Sequence, residues 1–250
     1  MQHFRSFDEI RHPIPTVCTI GAFDGVHLGH QRLIHAVVAD ARACQARAAV
    51  VTFFPHPRVV LGKAPARYLT LPDEKAMQIA ALGVDILVVL EFTAQMAQMT
   101  ASAFVRQMVA GLRPLSLWVG PDFALGHCRQ GNVAYLAELG RALGFEVRMM
   151  DKLSLGEGVI SSTRIRAALA RGDLSDANRC LGRPFSVVAR RCDARMLRVD
   201  ERQWLPSPGI YPARIAGCVG QVTIPDDHPH HLLLGHPLES YAEQVRVEFV

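Results

Sequence analysis

A chain of 250 residues, half of them hydrophobic, has room for one large domain or for a medium and a small one. A net charge of +4 with a pI near 8.9 is too modest to indicate nucleic acid, and no apolar run is long enough to span a bilayer, so neither a nucleic-acid nor a membrane partner is expected. Six scattered cysteines without a Cys-x-x-Cys pair exclude that zinc or redox motif; with no signal peptide in the charged N-terminus, they predict reduced thiols in a cytoplasmic protein.

Residues 15–20 form an apolar run that predicts a short buried strand. It leads into Thr19-Ile20-Gly21-Ala22-Phe23-Asp24-Gly25-Val26-His27-Leu28-Gly29-His30-Gln31. Beyond it Leu33, Ile34, Val37, Val38 and Ala41 recur at helical spacing, so a helix is expected over 29–44. Residues 48–53 predict a second strand, stopped at Phe54-Pro55-His56-Pro57 because two prolines cannot continue a central strand. A helix follows within 67–82, with Thr70 or Asp73 as cap and Pro72 near its start. Strands are expected at 84–90, 114–119 and 145–150, and helices at 100–112 and 131–144. Strands separated by helices of this length pair in parallel. The fold class is therefore α/β, a doubly wound parallel sheet whose ligands bind beyond the carboxyl ends of the strands. The informative loops are 21–30, 54–57, 120–131 and the segment after Met150.

That segment contains Val159-Ile160-Ser161-Ser162-Thr163-Arg164-Ile165-Arg166, a helix start with Ser161 or Ser162 as cap. Asp173 opens a further short helix that Gly182-Arg183-Pro184 ends. From Phe185 the texture changes to short apolar or alternating runs separated by Pro, Gly and Asp, which predicts a small antiparallel β domain. The expected domains are 1–184 and 185–250. Asp226-Asp227-His228-Pro229-His230-His231 reads as a polar loop, and the arginines of 190–202, interleaved with acids, as a solvated face. Trp118, in an apolar strand, is expected in the core.

The chemistry concentrates at two helix starts. Gly21 and Gly25 can take positive φ or let a ligand approach the backbone. A helix start offers unpaired N–H groups and the positive end of the dipole, which suits phosphate. His27 and His30, three apart, project from one face of the first turn, and Gly29 keeps that face open. Two imidazoles beside free amides suit phosphoryl-type transfer. At the second start Ser161, Ser162, Thr163 and Arg164 bring hydroxyls, amides and a guanidinium to one point.

The string Gly-x-Phe-Asp-Gly-Val-His-x-Gly-His resembles the nucleotidyltransferase signature of the bacterial bifunctional riboflavin kinase/FAD synthetase family. The likeness extends over roughly 17–185 through Thr52-Phe53-Phe54-Pro55-His56-Pro57, Tyr68-Leu69-Thr70, Gly83-Val84-Asp85, Val119-Gly120-Pro121-Asp122-Phe123, Gly126, Arg129, Gly131, the Ile160–Arg166 run and Leu181-Gly182-Arg183-Pro184-Phe185. It implies a nucleotidyltransferase domain that converts ATP and FMN, with Mg²⁺, to FAD and pyrophosphate. Carried over, His27, His30 and Arg164 are the implied catalytic residues. Gly21, Phe23, Asp24, Gly25, Gly29, Ser161, Ser162 and Thr163 bind ATP, and Pro55, His56, Pro57, Asp122 and Leu125 bind the flavin. Position 125 is usually aromatic in the family and is leucine here. A monomer or weak homo-oligomer is expected. Two other readings remain open here: a nucleotidyltransferase for another phosphorylated acceptor, and a flavin- or nucleotide-binding regulator without turnover.

The C-terminal part resembles the family's riboflavin kinase barrel only in traces, Leu205-Pro206-Ser207-Pro208-Gly209-Ile210-Tyr211 and Val245-Arg246-Val247-Glu248-Phe249. Where the family's kinase has a Gly-rich segment leading to Pro-Thr-Ala-Asn, this chain has Val188-Ala189-Arg190-Arg191-Cys192-Asp193-Ala194-Arg195, and Pro-Thr-Ala-Asn occurs nowhere. The expected protein is an FMN adenylyltransferase without kinase activity.

Overall fold

The computed structural model describes residues 1–156, 158–238 and 242–250. It divides into two compact units, Met1–Ala66 with Pro72–Leu153, and Arg67–Leu71 with Ser154–Val250.

In the first unit the strands are β1 (Gln2–Phe4), β2 (Thr16–Ile20), β3 (Arg47–Phe53), β4 (Ile86–Leu90), β5 (Pro114–Val119), the two-residue β6 (Ala124–Leu125) and β7 (Gly131–Asn132), and β8 (Glu146–Met149). The helices are α1 (Leu28–Ala43), the one-turn α2 (Pro57–Val60), α3 (Pro72–Ala81), the one-turn α4 (Ala94–Ala97), α5 (Ala101–Leu112) and α6 (Val133–Leu143). Six strands form one sheet in the order β1-β4-β3-β2-β5-β8, every neighbour parallel. The five strands read from sequence are all present. The sixth, β1, is a polar three-residue edge strand set against β4, too short to show a period.

Both faces of the sheet are buried, which is why its strands read as continuous apolar runs rather than alternating ones. Val50 and Leu87 point to the side of α1 and α3, with Phe23, Ile34 and Ile79. Cys18, Ile20, Val51 and Val88 point to the side of α5 and α6, with Phe104, Met108, Leu112 and Leu136. Each such aliphatic side chain contributes roughly 1.5–3 kcal/mol by leaving water. Side-chain caps set the helix starts: Thr100 Oγ1 accepts from Ala103 N (3.2 Å) and Asn132 Oδ1 from Tyr135 N (2.9 Å). Gly144, at φ 83°, ends α6 in the left-handed conformation that glycine takes without strain.

Trp118 departs from expectation. It is half-buried, and its indole N–H donates to Asp40 (2.8 Å) while the Arg148 guanidinium lies 5.7 Å over its ring. An indole must satisfy its donor, so it sits where α1 supplies a carboxylate. Asp40 also accepts from Ser116 Oγ (2.9 Å) and Arg148 (2.7 Å). Burial pushes the Asp40 carboxyl up, but the bonds from Trp118 and Ser116 and the Arg148 charge outweigh it and hold its pKa below the ordinary value. Asp40→Ala leaves the Trp118, Ser116 and Arg148 donors without this acceptor and should destabilise the fold by about 2–3 kcal/mol, read as a lowered denaturant midpoint. Because the folded carboxyl is the stronger acid, its stabilisation is complete above the ordinary Asp range. It is lost as pH falls through the depressed value. The gap between wild type and Asp40→Ala should therefore narrow in acid.

The second unit opens with a hairpin of β9 (Ser154–Leu155) and β10 (Gly158–Val159), then α7 (Ser162–Ala170) and α8 (Leu174–Leu181). The antiparallel β domain follows as a closed barrel of β11 (Phe185–Arg191), β12 (Met196–Val199), β13 (Gly209–Ile215), β14 (Cys218–Ile224), β15 (His231–Leu234) and β16 (Gln244–Phe249), in the order β11-β12-β15-β14-β13-β16. Phe185 pairs with Phe249 to close it. Asn178 of α8 donates to Phe249 O (2.9 Å) and accepts from Phe185 N (2.7 Å), which fastens the helix to the barrel. The compact division thus falls at Leu153, earlier than the change of texture at Phe185. The Asp226–His231 stretch connects β14 to β15. Among the described residues no helix is long and apolar enough to cross a membrane, and all six cysteines are free thiols.

Candidate active site

The chain runs outward from β2 through β3 to β4, then crosses back to place β5 and β8 on the other side of β2. The order reverses between β2 and β5, the position where open α/β sheets bind ligands. The loop after β2 is 21–27, the histidine loop. The loop after β5 is 120–123, and that after β3 is 54–56.

The histidine loop is tightly wound. Phe23 (φ 48°), Gly25 (φ 86°) and Val26 (φ 40°) all take positive φ, costly for the two that are not glycine and tolerated only where the surroundings over-determine them. Those surroundings are specific. Phe23 is buried with its ring edge-on to His30 at 5.2 Å. A Cβ on Gly21 would stand 2.9 Å from the Phe23 ring, so only glycine fits there. Thr52 Oγ1 (3.1 Å) and Lys75 Nζ (2.8 Å) both donate to Ala22 O, and Gln31 Nε2 donates to Val26 O (2.8 Å). Asp24, 3% exposed, is buried within the loop.

His27 is the N-cap of α1. Its Nδ1 accepts from the His30 backbone N–H at 3.3 Å, which leaves the proton of the neutral ring on Nε2 as a donor. His30 stacks on it, ring centroids 3.6 Å apart and planes 16° from parallel. Two stacked imidazoles cannot both be charged at low cost. His30 is held well below the ordinary histidine pKa, by burial first, then by the His27 and Lys75 charges. Its Nδ1 is buried and makes no hydrogen bond among the described residues. A buried imidazole nitrogen without a hydrogen bond, on a ring stacked against the N-cap histidine, is the site's clearest unused capacity. Gly29 lies in the first turn between the pair and is half-buried.

The expected flavin residues lie at the ends of β3 and β5. Pro55, His56 and Pro57 are half-buried, and His56 Nδ1 caps α2 by accepting from Arg58 N (3.0 Å). Asp122 is exposed and ion-paired with Lys152. Leu125, on β6, is half-buried against the core together with Phe53 and Phe123.

In the second unit Ser161 is the N-cap of α7, its Oγ accepting from Arg164 N (3.2 Å). Ser162 is half-buried and Thr163 exposed in the first turn. Arg164 does not present the open fork that its position suggests. Its Nε and Nη2 donate to the two oxygens of Asp176 (3.0 and 2.7 Å), and its Nη1 to Leu155 O (3.0 Å) and Gly158 O (2.8 Å). A Cβ on Gly158 would meet that Nη1 at 2.8 Å, so a side chain there would push the guanidinium aside. The physical reason is the α8 N-terminus. Asp173 Oδ1 caps it by accepting from Asp176 N (2.9 Å) and so sets Asp176 against Arg164. Arg164 holds the Asp176 carboxyl below the ordinary value against its burial. The guanidinium thus ties the β9–β10 hairpin and α8 to the start of α7.

Sequence reasoning missed Lys75 and Thr52, which both act on the Ala22 carbonyl. Lys75 stands beside Glu74 in a helix and looks like a surface residue; both are buried.

A model of the FAD synthetase family matches residues 9–164. The chain is 35% identical over 223 residues to a bifunctional riboflavin kinase/FMN adenylyltransferase of Listeria monocytogenes, an alignment covering 81% of this chain and 71% of that protein. It is 39% identical over 217 residues to the protein of the same name from Haemophilus influenzae, covering 82% and 70%. A crystal structure described as a macrolide-efflux protein from Streptococcus pneumoniae matches with a TM-score of 0.87 at 22% identity, covering 99% of this chain and 88% of that one. At that identity the likeness speaks for the fold alone.

Proposed function

The chain belongs to the FAD synthetase family, and on that premise we propose that it is an FMN adenylyltransferase, taking ATP and FMN to FAD and pyrophosphate, with the transfer function assigned to residues 1–184. The observation that carries this reading is the stacked His27–His30 pair at the start of α1, on the carboxyl end of β2 beside the sheet's switch point. In the reaction an FMN phosphate oxygen attacks the α-phosphorus of ATP. The bond from that phosphorus to the oxygen bridging to the β-phosphorus breaks, and pyrophosphate leaves. No covalent enzyme intermediate is needed, so the protein contributes position and charge.

His27 donates from Nε2, and His30 from whichever ring nitrogen carries its proton, to phosphate oxygens as charge moves toward the leaving group. Gly21, Phe23, Asp24, Gly25 and Gly29 shape the bed for ATP; Ser161, Ser162 and Thr163, at the start of α7 in the second unit, keep the ATP-binding role that the family resemblance implies. Pro55, His56, Pro57, Asp122 and Leu125 serve the flavin. Among the described residues no group of three or more His, Cys, Asp or Glu side chains is arranged to hold a metal. Mg²⁺ carried in on the ATP phosphates would neutralise charge on the transferring group. Purified protein with labelled ATP and FMN should release pyrophosphate and FAD in equal amounts. Pyrophosphate without FAD would mean a different acceptor.

Arg164 acts on ATP through position in this reading. Arg164→Lys keeps the charge but loses the fork to Asp176, and should raise the KM for ATP about tenfold with FMN binding nearly unchanged. Asp176→Asn should have a similar effect, and the double variant should be no worse than either single one. If Arg164→Lys impairs ATP use and Asp176→Asn does not, the guanidinium reaches phosphate itself.

A further inference from the structure

Helix α3 buries the ammonium of Lys75, whose residue is only 5% exposed. Burying a charge is costly unless it is compensated, and a methionine would fill the same volume without that cost. The ammonium is aimed at the histidine loop. It donates to Ala22 O at 2.8 Å, the carbonyl that Thr52 also holds, one residue before the positive-φ Phe23 whose ring lies against His30. The charged and titratable groups that it feels there are Asp24 from the loop and His30, stacked on His27, from the first turn of α1.

We propose that Lys75 is a positioning residue of the nucleotide site: its ammonium anchors the Ala22 carbonyl and supplies the buried positive charge that an arriving polyphosphate completes. The proposal rests on the adenylyl-transfer reading above. In the free chain burial lowers the Lys75 pKa from the ordinary 10.5 to about 8, opposed by the Asp24 carboxylate. A polyanion bound at the loop favours the charged form and raises that pKa again. Binding then takes up a proton wherever the free amine is neutral. ATP affinity is therefore full below the free-state value and falls as pH rises above about 8.

The test is the binding of MgATP to the full chain from pH 7 to 9.5 without FMN, so that no acceptor is present. Wild type should lose affinity above pH 8, approaching tenfold per pH unit. Lys75→Gln, which keeps a donor for Ala22 O but no charge, should bind more weakly and show no such slope. Lys75→Arg, charged throughout, should also lack the slope while keeping the affinity seen at pH 7. A wild-type affinity that is flat through pH 8, or a Lys75→Gln variant that keeps the wild-type slope, overturns the proposal. Should the variants fail to fold, the ammonium's own titration by NMR in wild type decides: a midpoint at the ordinary lysine value overturns it. Wild type that binds MgATP with the expected slope but forms no FAD would sink the transfer reading and leave the lysine's role standing. FAD formation with a flat binding profile would do the reverse.

Discussion

His27→Ala and His30→Ala should each lower FAD formation by about 10²–10³-fold while leaving the protein folded. The two losses differ in their effect on stability, and that difference makes the test sharp. His27 caps α1 through Nδ1, so alanine there also removes a cap worth about 1 kcal/mol. His27→Asn restores a capping acceptor without the imidazole, and should recover the unfolding midpoint but not the rate. His30 caps nothing, and its Nδ1 is buried without a hydrogen bond among the described residues, so its removal relieves an unsatisfied polar atom. The lost packing of its ring on His27 and Phe23 offsets that relief, and the variant should be as slow as His27→Ala. Because His30 is held well below the ordinary histidine pKa, its neutral form should persist into mild acid. The wild-type rate should not bend at the ordinary histidine value on its account. Near-native rates in both folded alanine variants would remove the pair from the chemistry.

The sequence was legible wherever a local pattern decides the outcome. β-Branched and aliphatic runs predicted β2 to β5 and β8, since strands buried on both faces carry apolar residues at every position. The histidine loop was legible because glycine at 21 and 25 answers a local steric demand: a Cβ at 21 meets Phe23, and position 25 needs φ 86°. What could not be read depends on partners distant in sequence. Lys75 is polar in a stretch with polar neighbours, and only the packing of α3 against the sheet buries it under Ala22, 53 residues away. Arg164 looked free because its partner Asp176 lies 12 residues on, in another helix. Trp118 looked like core because its strand is apolar, while its donor is claimed by Asp40, 78 residues earlier. The short runs after Phe185 signalled strands, yet closure into a barrel rests on Phe185 meeting Phe249 at the far end of the segment.

Riboflavin with Mg-ATP should yield no FMN with this chain, whereas FMN with Mg-ATP yields FAD. A riboflavin kinase must cradle ATP phosphates with backbone amides in a glycine-rich turn and hold the metal with a hydroxyl or amide side chain. Here the segment after Phe185 continues as strand β11 to Arg191 and turns back at once into β12. The amides of that turn are occupied: Cys192 N donates to Met196 O (2.9 Å), and the Asp193 carboxylate takes Arg195 N (2.7 Å) and Met196 N (2.8 Å). A carboxylate at that point also repels phosphate. The four glycines between Phe185 and Val250 are dispersed and engaged elsewhere. Gly209 and Gly220 are paired within β13 and β14, Gly217 makes the turn between those strands at φ 89°, and Gly235 N donates to Gln221 O. The arginines nearby are paired as well, Arg198 with Glu201 and Arg202 with Asp200. The turn amides named above are engaged among the described residues, so the chain should depend on another enzyme for FMN. Chromatography of a riboflavin and Mg-ATP incubation, against an FMN control that gives FAD, checks this directly. FMN accumulating from riboflavin would overturn it, and would mean that the Arg190–Arg202 face opens its ion pairs to hold phosphate.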